Sequence, residues 1–160
     1  MNKLSKKSKL ILGIVICIIT IAIILTILFF NKKSNSILFK STYMNAAWTP
    51  TSYGYLIYSN GIIKEYDDYN EDKDLKSAKI TNEELNKLKE LANIVEDKYE
   101  KDDRFQMSDA GVSTKEIYSE TLGRWVVLSK SGDTMGRNNT ETSEEILNLI
   151  AELYNKYLDN

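Results

Sequence analysis

The feature that most constrains the fold is one uncharged run near the amino terminus. Twenty-one consecutive residues, Leu10 to Phe30, carry no charge, and sixteen of them are Ile, Leu, Val or Phe. With a helical rise of about 1.5 Å per residue, the run is roughly 31 Å long, which matches a hydrocarbon core of about 30 Å. The run therefore predicts a transmembrane helix. The alternative is a cleaved secretory signal, whose apolar part is usually shorter, at about 7 to 15 residues.

Lysines on both sides of this run predict its orientation. Four of them precede it and three follow it: Lys3, Lys6, Lys7 and Lys9, then Lys32, Lys33 and Lys40. Because positive charge is retained in the cytoplasm, we expect the amino terminus inside and the rest of the chain outside. The expected organisation is a cytoplasmic tail at 1–9, a single-pass signal anchor in the cell membrane at 10–30 with the lipid bilayer as its partner, a spacer or lead-in at 31–52 and an extracytoplasmic domain at 53–160. Within the lead-in, Ile37 to Trp48 is either a first strand or part of the connection.

The part of the chain after this run is acidic and lacks cysteine. All 23 acidic residues lie after residue 30, whereas four of the 21 basic ones lie before it, which leaves residues 31–160 with a net charge of −6. An excess of carboxylates argues against nucleic acid as a partner, because the phosphate backbone attracts basic surfaces. Cys17 lies inside the apolar run. We therefore expect a domain held together by core packing, without a disulfide.

Two hairpins and two helices are predicted in the acidic part. Tyr55 to Tyr58 and Ile62 to Tyr66 flank Asn60-Gly61, which is typical of a type I′ hairpin turn. A second strand pair is expected at Lys115 to Glu120 and Arg124 to Lys130, joined through Gly123, and Ser131 to Asn139 is expected to be a loop.

Both expected helices start with a capping signature. Thr81 and Glu84 form a capping box before an apolar face that recurs every three or four residues from Leu85 to Tyr99. Thr142 and Glu145 repeat the pattern before the carboxyl-terminal helix. The order hairpin, helix, hairpin, helix predicts an α+β domain, with an antiparallel sheet of about four strands and helices on one face.

These motifs also carry a family resemblance. The segment Tyr58-Ser59-Asn60-Gly61-Ile62, followed by Ile80-Thr81-x-Glu83-Glu84-Leu85-x-x-Leu88, resembles small, uncharacterised bacterial envelope domains, either membrane-anchored or secreted, in which a Gly-turn hairpin precedes a helix. The resemblance covers residues 53 to 95 most closely and implies an α+β fold and an envelope location. It implies no activity and no reacting residue.

The chemistry of the chain is constrained by what its sequence lacks. There is no histidine, which excludes Ser-His-Asp and Cys-His catalysis and His-based zinc sites within this chain. Lys130-Ser131-Gly132 matches one element of penicillin-binding enzymes, but no Ser-x-x-Lys motif accompanies it. Glycine-rich phosphate-binding motifs are absent as well. We therefore expect a non-catalytic protein without a cofactor.

Two weaker groups of residues remain as candidate sites. Asp68, Asn70 and Asp72 have the spacing at which calcium loops begin, but Lys73 and Lys79 occupy positions where an EF-hand needs Gly and Glu. A solvated charged loop is the alternative. The second group is a possible interaction surface near Trp125, for which turn formation and helix capping are the alternative explanation; its other members are Asp109, Asp133, Arg137, Asn138 and Asn139.

Three classes of function remain. The first is a non-catalytic interaction, accessory or immunity-type module that binds an envelope protein. The second is a structural or sensory membrane appendage that oligomerises through its span, where Gly13 and Cys17, or Ala22 and Thr26, place small residues one turn apart. The third is an envelope hydrolase with paired carboxylates, which the acidic composition permits but no motif positions.

Overall fold

The computed structural model describes residues 14–26, 36–45, 51–70, 74–102 and 111–159. The chain divides into two compact units, Met1–Asn35 and Ser36–Asn160. In the first unit, helix α1 covers residues 14–26.

Among the residues that the structure describes, no helix is long and apolar enough to cross a membrane. The prediction of a transmembrane helix is therefore wrong for this part of the chain. The two ends of the predicted span, 10–13 and 27–30, and the predicted tail at 1–9 lie outside the described residues.

The second unit combines one antiparallel sheet with two helices. In chain order its elements are β1 (Ile37–Asn45), β2 (Thr51–Tyr58), β3 (Ile62–Asp67), β4 (Ser77–Lys79), α2 (Asn82–Ile94), β5 (Tyr99–Asp102), β6 (Val112–Ser119), β7 (Arg124–Gly132), β8 (Met135–Asn138) and α3 (Glu141–Tyr157). The strand order is β4-β3-β2-β1-β6-β7-β8-β5. The predicted α+β character is confirmed, but the prediction of about four strands is wrong, because the described sheet has eight.

The four additional strands are of two kinds. Three of them, β4, β5 and β8, are only three or four residues long and mostly polar, so they show no alternation of apolar and polar residues. Each pairs with the open edge of a neighbouring strand: β4 with β3, β8 with β7, and β5 with β8. The fourth is β1, which pairs with β2 on one side and β6 on the other.

The first hairpin forms where it was predicted, but with a different turn. Gly61 N donates to Tyr58 O at 2.9 Å, which makes Ser59 and Asn60 the central residues of the turn. Gly61 then follows the turn with a φ of 84°, a conformation that glycine adopts at little cost. The predicted type I′ turn centred on Asn60-Gly61 is therefore wrong, and the loop is of the three-residue kind.

The start of α2 follows the sequence signature, whereas its end and the start of α3 do not. Thr81 and Glu84 form the predicted capping box. Helix α2 ends at Ile94, and Tyr99, which was predicted to extend its apolar face, opens β5 instead. Helix α3 is capped by Thr140 rather than Thr142, because the Thr140 hydroxyl accepts from Ser143 N at 3.2 Å and donates to Asn138 Oδ1 at 3.0 Å.

The core lies between one face of the sheet and the two helices. A single cross-strand row supplies the sheet side, and five of its six members are fully buried while the first is half-buried: Ala78, Ile63, Ile57, Phe39, Ile117 and Val126. Helices α2 and α3 cover this row with their own buried side chains, among them Leu88 and Ile150. Burying each large apolar side chain contributes about 1.5 to 3 kcal/mol, so this row is central to the stability of the domain.

Candidate functional site

The opposite face of the sheet is a candidate interaction surface. Side chains that alternate with the core row point to this side, and α2 and α3 both pack on the other. We call it the helix-free face. Two cross-strand rows define it: Ser77, Lys64, Leu56, Lys40, Glu116 and Val127 form the first, and Tyr66, Gly54, Thr42, Thr114, Lys130, Gly136 and Lys101 form the second.

An ordered aromatic cluster lies at one end of this face. Tyr118 and Trp125 are directly opposite each other on β6 and β7, with ring centroids 5.7 Å apart in an edge-to-face arrangement. Lys40 Nζ lies 4.5 Å from the centre of the Trp125 ring and 2.8 Å from Glu116 Oε2. The lysine thus links a cation–π contact with Trp125 to an ion pair with Glu116.

The charge of the helix-free face differs from that of the domain as a whole. Its two defining rows carry four lysines, at 40, 64, 101 and 130, and a single carboxylate, Glu116. Residues 31–160 nevertheless carry a net charge of −6. The acidic excess therefore lies elsewhere on the domain, and this face is locally basic.

A cavity of about 320 Å³ opens on the helix-bearing side of the same sheet. Five tyrosines line it, namely Tyr43, Tyr53, Tyr55, Tyr66 and Tyr154, and Glu65 supplies the one carboxylate among the described lining residues. Burial raises the pKa of the Tyr55 hydroxyl to about 12, although a hydrogen bond with Ser41 acts in the opposite direction. Tyr55 therefore stays a neutral phenol at physiological pH.

A larger and more open cavity, of about 570 Å³, lies at the other end of the sheet between β5, β7 and β8. Its charged lining residues include Glu100, Lys130 and Arg137. Two polar contacts occupy part of its wall, because Arg137 pairs with Glu144 at 3.2 Å and Asn139 Nδ2 donates to Glu100 Oε2 at 2.9 Å.

The structure does not gather the predicted interaction residues into one place. Trp125 lies near the start of β7 and Asp133 follows its end, which separates them by about 25 Å along the strand. Asn138 is fully buried, and its Nδ2 donates to Glu96 O at 2.6 Å. Arg137 faces α3 through its ion pair with Glu144, and Asp109 lies outside the described residues.

The predicted cation site is only partly described. Asp68 and Asn70 are exposed in the segment after β3, and Asp72 lies outside the described residues. The neighbouring Asp67 accepts from Tyr69 N at 3.1 Å and Asn70 N at 3.2 Å, so its carboxylate stabilises the turn. Within the described ranges, no cluster of three or more Asp, Glu, Cys or His side chains has the arrangement of a metal site.

Sequence reasoning missed the partners of Trp125 and the tyrosine cavity. Tyr118, Lys40 and Glu116 come from two strands that are far apart in the chain, and only the β1–β6 register brings them together. Alternation along β1 and β2 was the available signal, because Tyr43, Tyr53 and Tyr55 then share one face with Phe39 and Ile57. Using it requires the strand alternative for Ile37 to Trp48 to be chosen over the lead-in, and the structure forms β1 there.

No family model matches the chain, and no curated protein or solved structure matches it either.

Proposed function

We propose that the second unit is a non-catalytic interaction module that binds an acidic surface of a partner protein through its helix-free face. The observation that carries this proposal is the ordered Trp125–Tyr118 pair on a sheet face that neither α2 nor α3 covers. Tryptophan and tyrosine are the residues most enriched among those that dominate binding energy at protein interfaces.

The aromatic pair is prepared for binding before a partner arrives. Lys40 contacts both the Trp125 ring and Glu116, and the side chains of Lys40 and Glu116 are only 31% and 19% exposed. Side chains already held in one conformation lose less entropy when a partner covers them. The cluster can therefore anchor an interface at low conformational cost.

The charge of the face selects the partner surface. Four lysines against one carboxylate favour an acidic surface, because complementary charge speeds encounter and disfavours the wrong partner. The acidic remainder of the domain repels the same surface, which restricts productive encounter to this side of the sheet.

The test is site-specific photo-crosslinking in intact cells, followed by binding to the captured protein. A photoreactive phenylalanine replaces Lys64 or Thr114 on the helix-free face. As a control, the same residue replaces Glu90 or Glu152, which are exposed on the helices. We expect one acidic protein to crosslink from positions 64 and 114 and not from 90 or 152. Equal crosslinking from the helices, or none from the sheet, would overturn the proposal.

Binding of the purified partner then identifies the anchor. We expect Trp125→Ala to weaken binding by about 30-fold, since interface tryptophans of this kind contribute about 2 kcal/mol or more. Tyr69→Ala is the matched control, because Tyr69 is 65% exposed and lies beyond the end of β3. Unchanged affinity for Trp125→Ala, in a variant whose thermal unfolding is cooperative, would contradict the proposal.

A further inference from the structure

We propose that the tyrosine-lined cavity on the helix-bearing side of the sheet binds a small organic cation of the quaternary ammonium class. The lining comes mainly from side chains on the helix-bearing side of the sheet, and the occupant is a small molecule rather than a protein. The inference rests on three properties of the cavity: its aromatic walls, the carboxylate that lines it and its size.

The aromatic walls come from two pairs of tyrosine rings. Tyr43 and Tyr53 lie opposite each other on β1 and β2, with centroids 4.9 Å apart and planes at 38°. Tyr55, the next residue of β2 on the same face, contacts Tyr154 of α3 with centroids 4.8 Å apart. With Tyr66, five tyrosines line one space, and the faces of such electron-rich rings attract cations within about 6 Å of their centres.

The charges around the cavity have the sign that a cation requires. Glu65 lines it, and Asp67 follows two residues later on the same face of β3. The backbone of Lys76 donates to Glu65 Oε2 at 3.0 Å, which orients the carboxylate. Tyr154 belongs to the last turn of α3, where the helix dipole adds partial negative charge.

Two lysines lie near the site, and neither lines it. Lys76 Nζ donates to Leu158 O at 2.6 Å, which directs its ammonium group to the carboxyl end of α3. Lys115 is opposite Ser41 on the neighbouring strand β6 and is not among the described lining residues.

The size of the cavity limits the ligand. A volume of about 320 Å³ is at the lower end of the range of about 300 to 1,000 Å³ typical of small-molecule sites. It suits a trimethylammonium group with a short polar arm, such as choline, and it is too small for an extended polymer to enter. Hydroxyl groups at Ser41 and Ser113 on the wall are suited to contact the polar arm.

The experiment is calorimetric titration of the full-length chain with choline and with 3,3-dimethylbutan-1-ol, its uncharged isostere of the same shape. We expect choline to bind at least about 10-fold more tightly, because only the cation gains from the ring faces and from Glu65. Equal affinity for the two compounds would show an apolar pocket and overturn the proposal. Absence of choline binding up to about 50 mM would overturn it as well.

Variants locate the binding to this cavity. We expect Tyr53→Leu and Glu65→Gln each to weaken choline binding by about 5-fold or more and to leave the affinity for the uncharged isostere within about 2-fold. Tyr53 is 44% exposed, so its replacement removes a ring from the rim rather than from the core. Tyr69→Leu is the matched control, and an equal loss of choline affinity in that variant would contradict the assignment.

Discussion

Tyr157 Oη in the last turn of α3 donates a hydrogen bond of 2.8 Å to Glu84 Oε2 in the first turn of α2. Lys156 Nζ donates to the other carboxylate oxygen, also at 2.8 Å. Burial of the Glu84 carboxyl opposes its ionisation, but these bonds and those from the Thr81 backbone and hydroxyl outweigh it and lower its pKa to about 2. One carboxylate therefore completes the capping box of α2 and joins the two helices that cover the core.

The first prediction concerns this carboxylate. Glu84→Gln is expected to lower the free energy of unfolding at pH 7 by about 1 to 2 kcal/mol, because the cap and the charge-assisted bonds between the helices are lost. The pKa of Glu84 is below its ordinary value of 4.5, so its contribution is present above that value and is lost as the pH falls towards about 2.

Urea unfolding at pH 7 and at acidic pH measures both effects. The gap in stability between the wild-type chain and Glu84→Gln should narrow as the pH falls through this window. Glu145→Gln is the matched control, since its ion pair with Lys87 joins two half-exposed side chains and is worth less than about 1 kcal/mol. A gap that does not depend on pH would contradict the assigned role of Glu84.

The second prediction concerns the close approach of β1 and β2 at Gly54. A Cβ atom placed there would lie 1.9 Å from Ser41 O, a backbone atom that cannot move without breaking the β1–β2 pairing. Gly54→Ala is therefore expected to cost about 4 kcal/mol or more. Gly123→Ala, where a Cβ meets nothing within 4 Å and only the positive φ of 65° is unfavourable, should cost about 1 kcal/mol. Equal losses of stability in the two variants, measured by thermal unfolding, would contradict this prediction.

The third prediction concerns the buried amide of Asn138. Its Nδ2 donates to Glu96 O at 2.6 Å and its Oδ1 accepts from Thr140 Oγ1 at 3.0 Å, so it ties the end of β8 to the segment after α2. Asn138→Ala is expected to cost about 2 to 3 kcal/mol, because it leaves buried polar groups unsatisfied. The adjacent Asn139→Ala removes an exposed contact and should change stability by less than about 0.5 kcal/mol. Chemical denaturation of the two variants tests the difference.

The fourth prediction is a substitution that increases the stability of the domain. Ser143 is fully buried in the first turn of α3, and its hydroxyl has no hydrogen-bond partner among the described residues. Ser143→Ala is expected to raise the free energy of unfolding by up to about 1 kcal/mol, since it removes an unsatisfied group and adds a better helix former. Thr140→Ala, which removes the cap of the same helix, should lower it by about 1 kcal/mol. A loss of stability in Ser143→Ala would reveal a bond to the hydroxyl in solution.

Local signals in the sequence predicted the parts of the fold that depend on neighbours in the chain. The β2–β3 and β6–β7 hairpins and the cap at Thr81 fall where turn and capping chemistry indicated. The cap of α3 does not fall at the predicted residue. Thr140 and Thr142 are both good capping residues, and Thr140 becomes the cap because it bonds to Asn138, which is buried only in the folded sheet. The edge strands β4 and β5 likewise form through pairing that no local pattern reveals.

The prediction from the apolar run is overturned for a different reason. The run is long enough to span a bilayer if all of it forms one helix, but among the described residues no helix is long and apolar enough to cross one. Both candidate sites depend on strand register, which the sequence pattern indicates only once β1 is assigned as a strand. The Lys40–Trp125 contact and the Tyr43–Tyr53 pair each require the position of β1 within the sheet.

The position of β1 in the middle of the sheet also has a mechanical consequence. The chain enters the second unit at Ser36, immediately before β1, which is hydrogen-bonded on both sides to β2 and β6. A force applied along the preceding segment therefore acts on the hydrogen bonds of β1 with β2 and of β1 with β6 at the same time. A strand at the edge of the sheet would instead be held on one side only. Extraction of β1 from its amino-terminal end therefore breaks hydrogen bonds to both neighbouring strands.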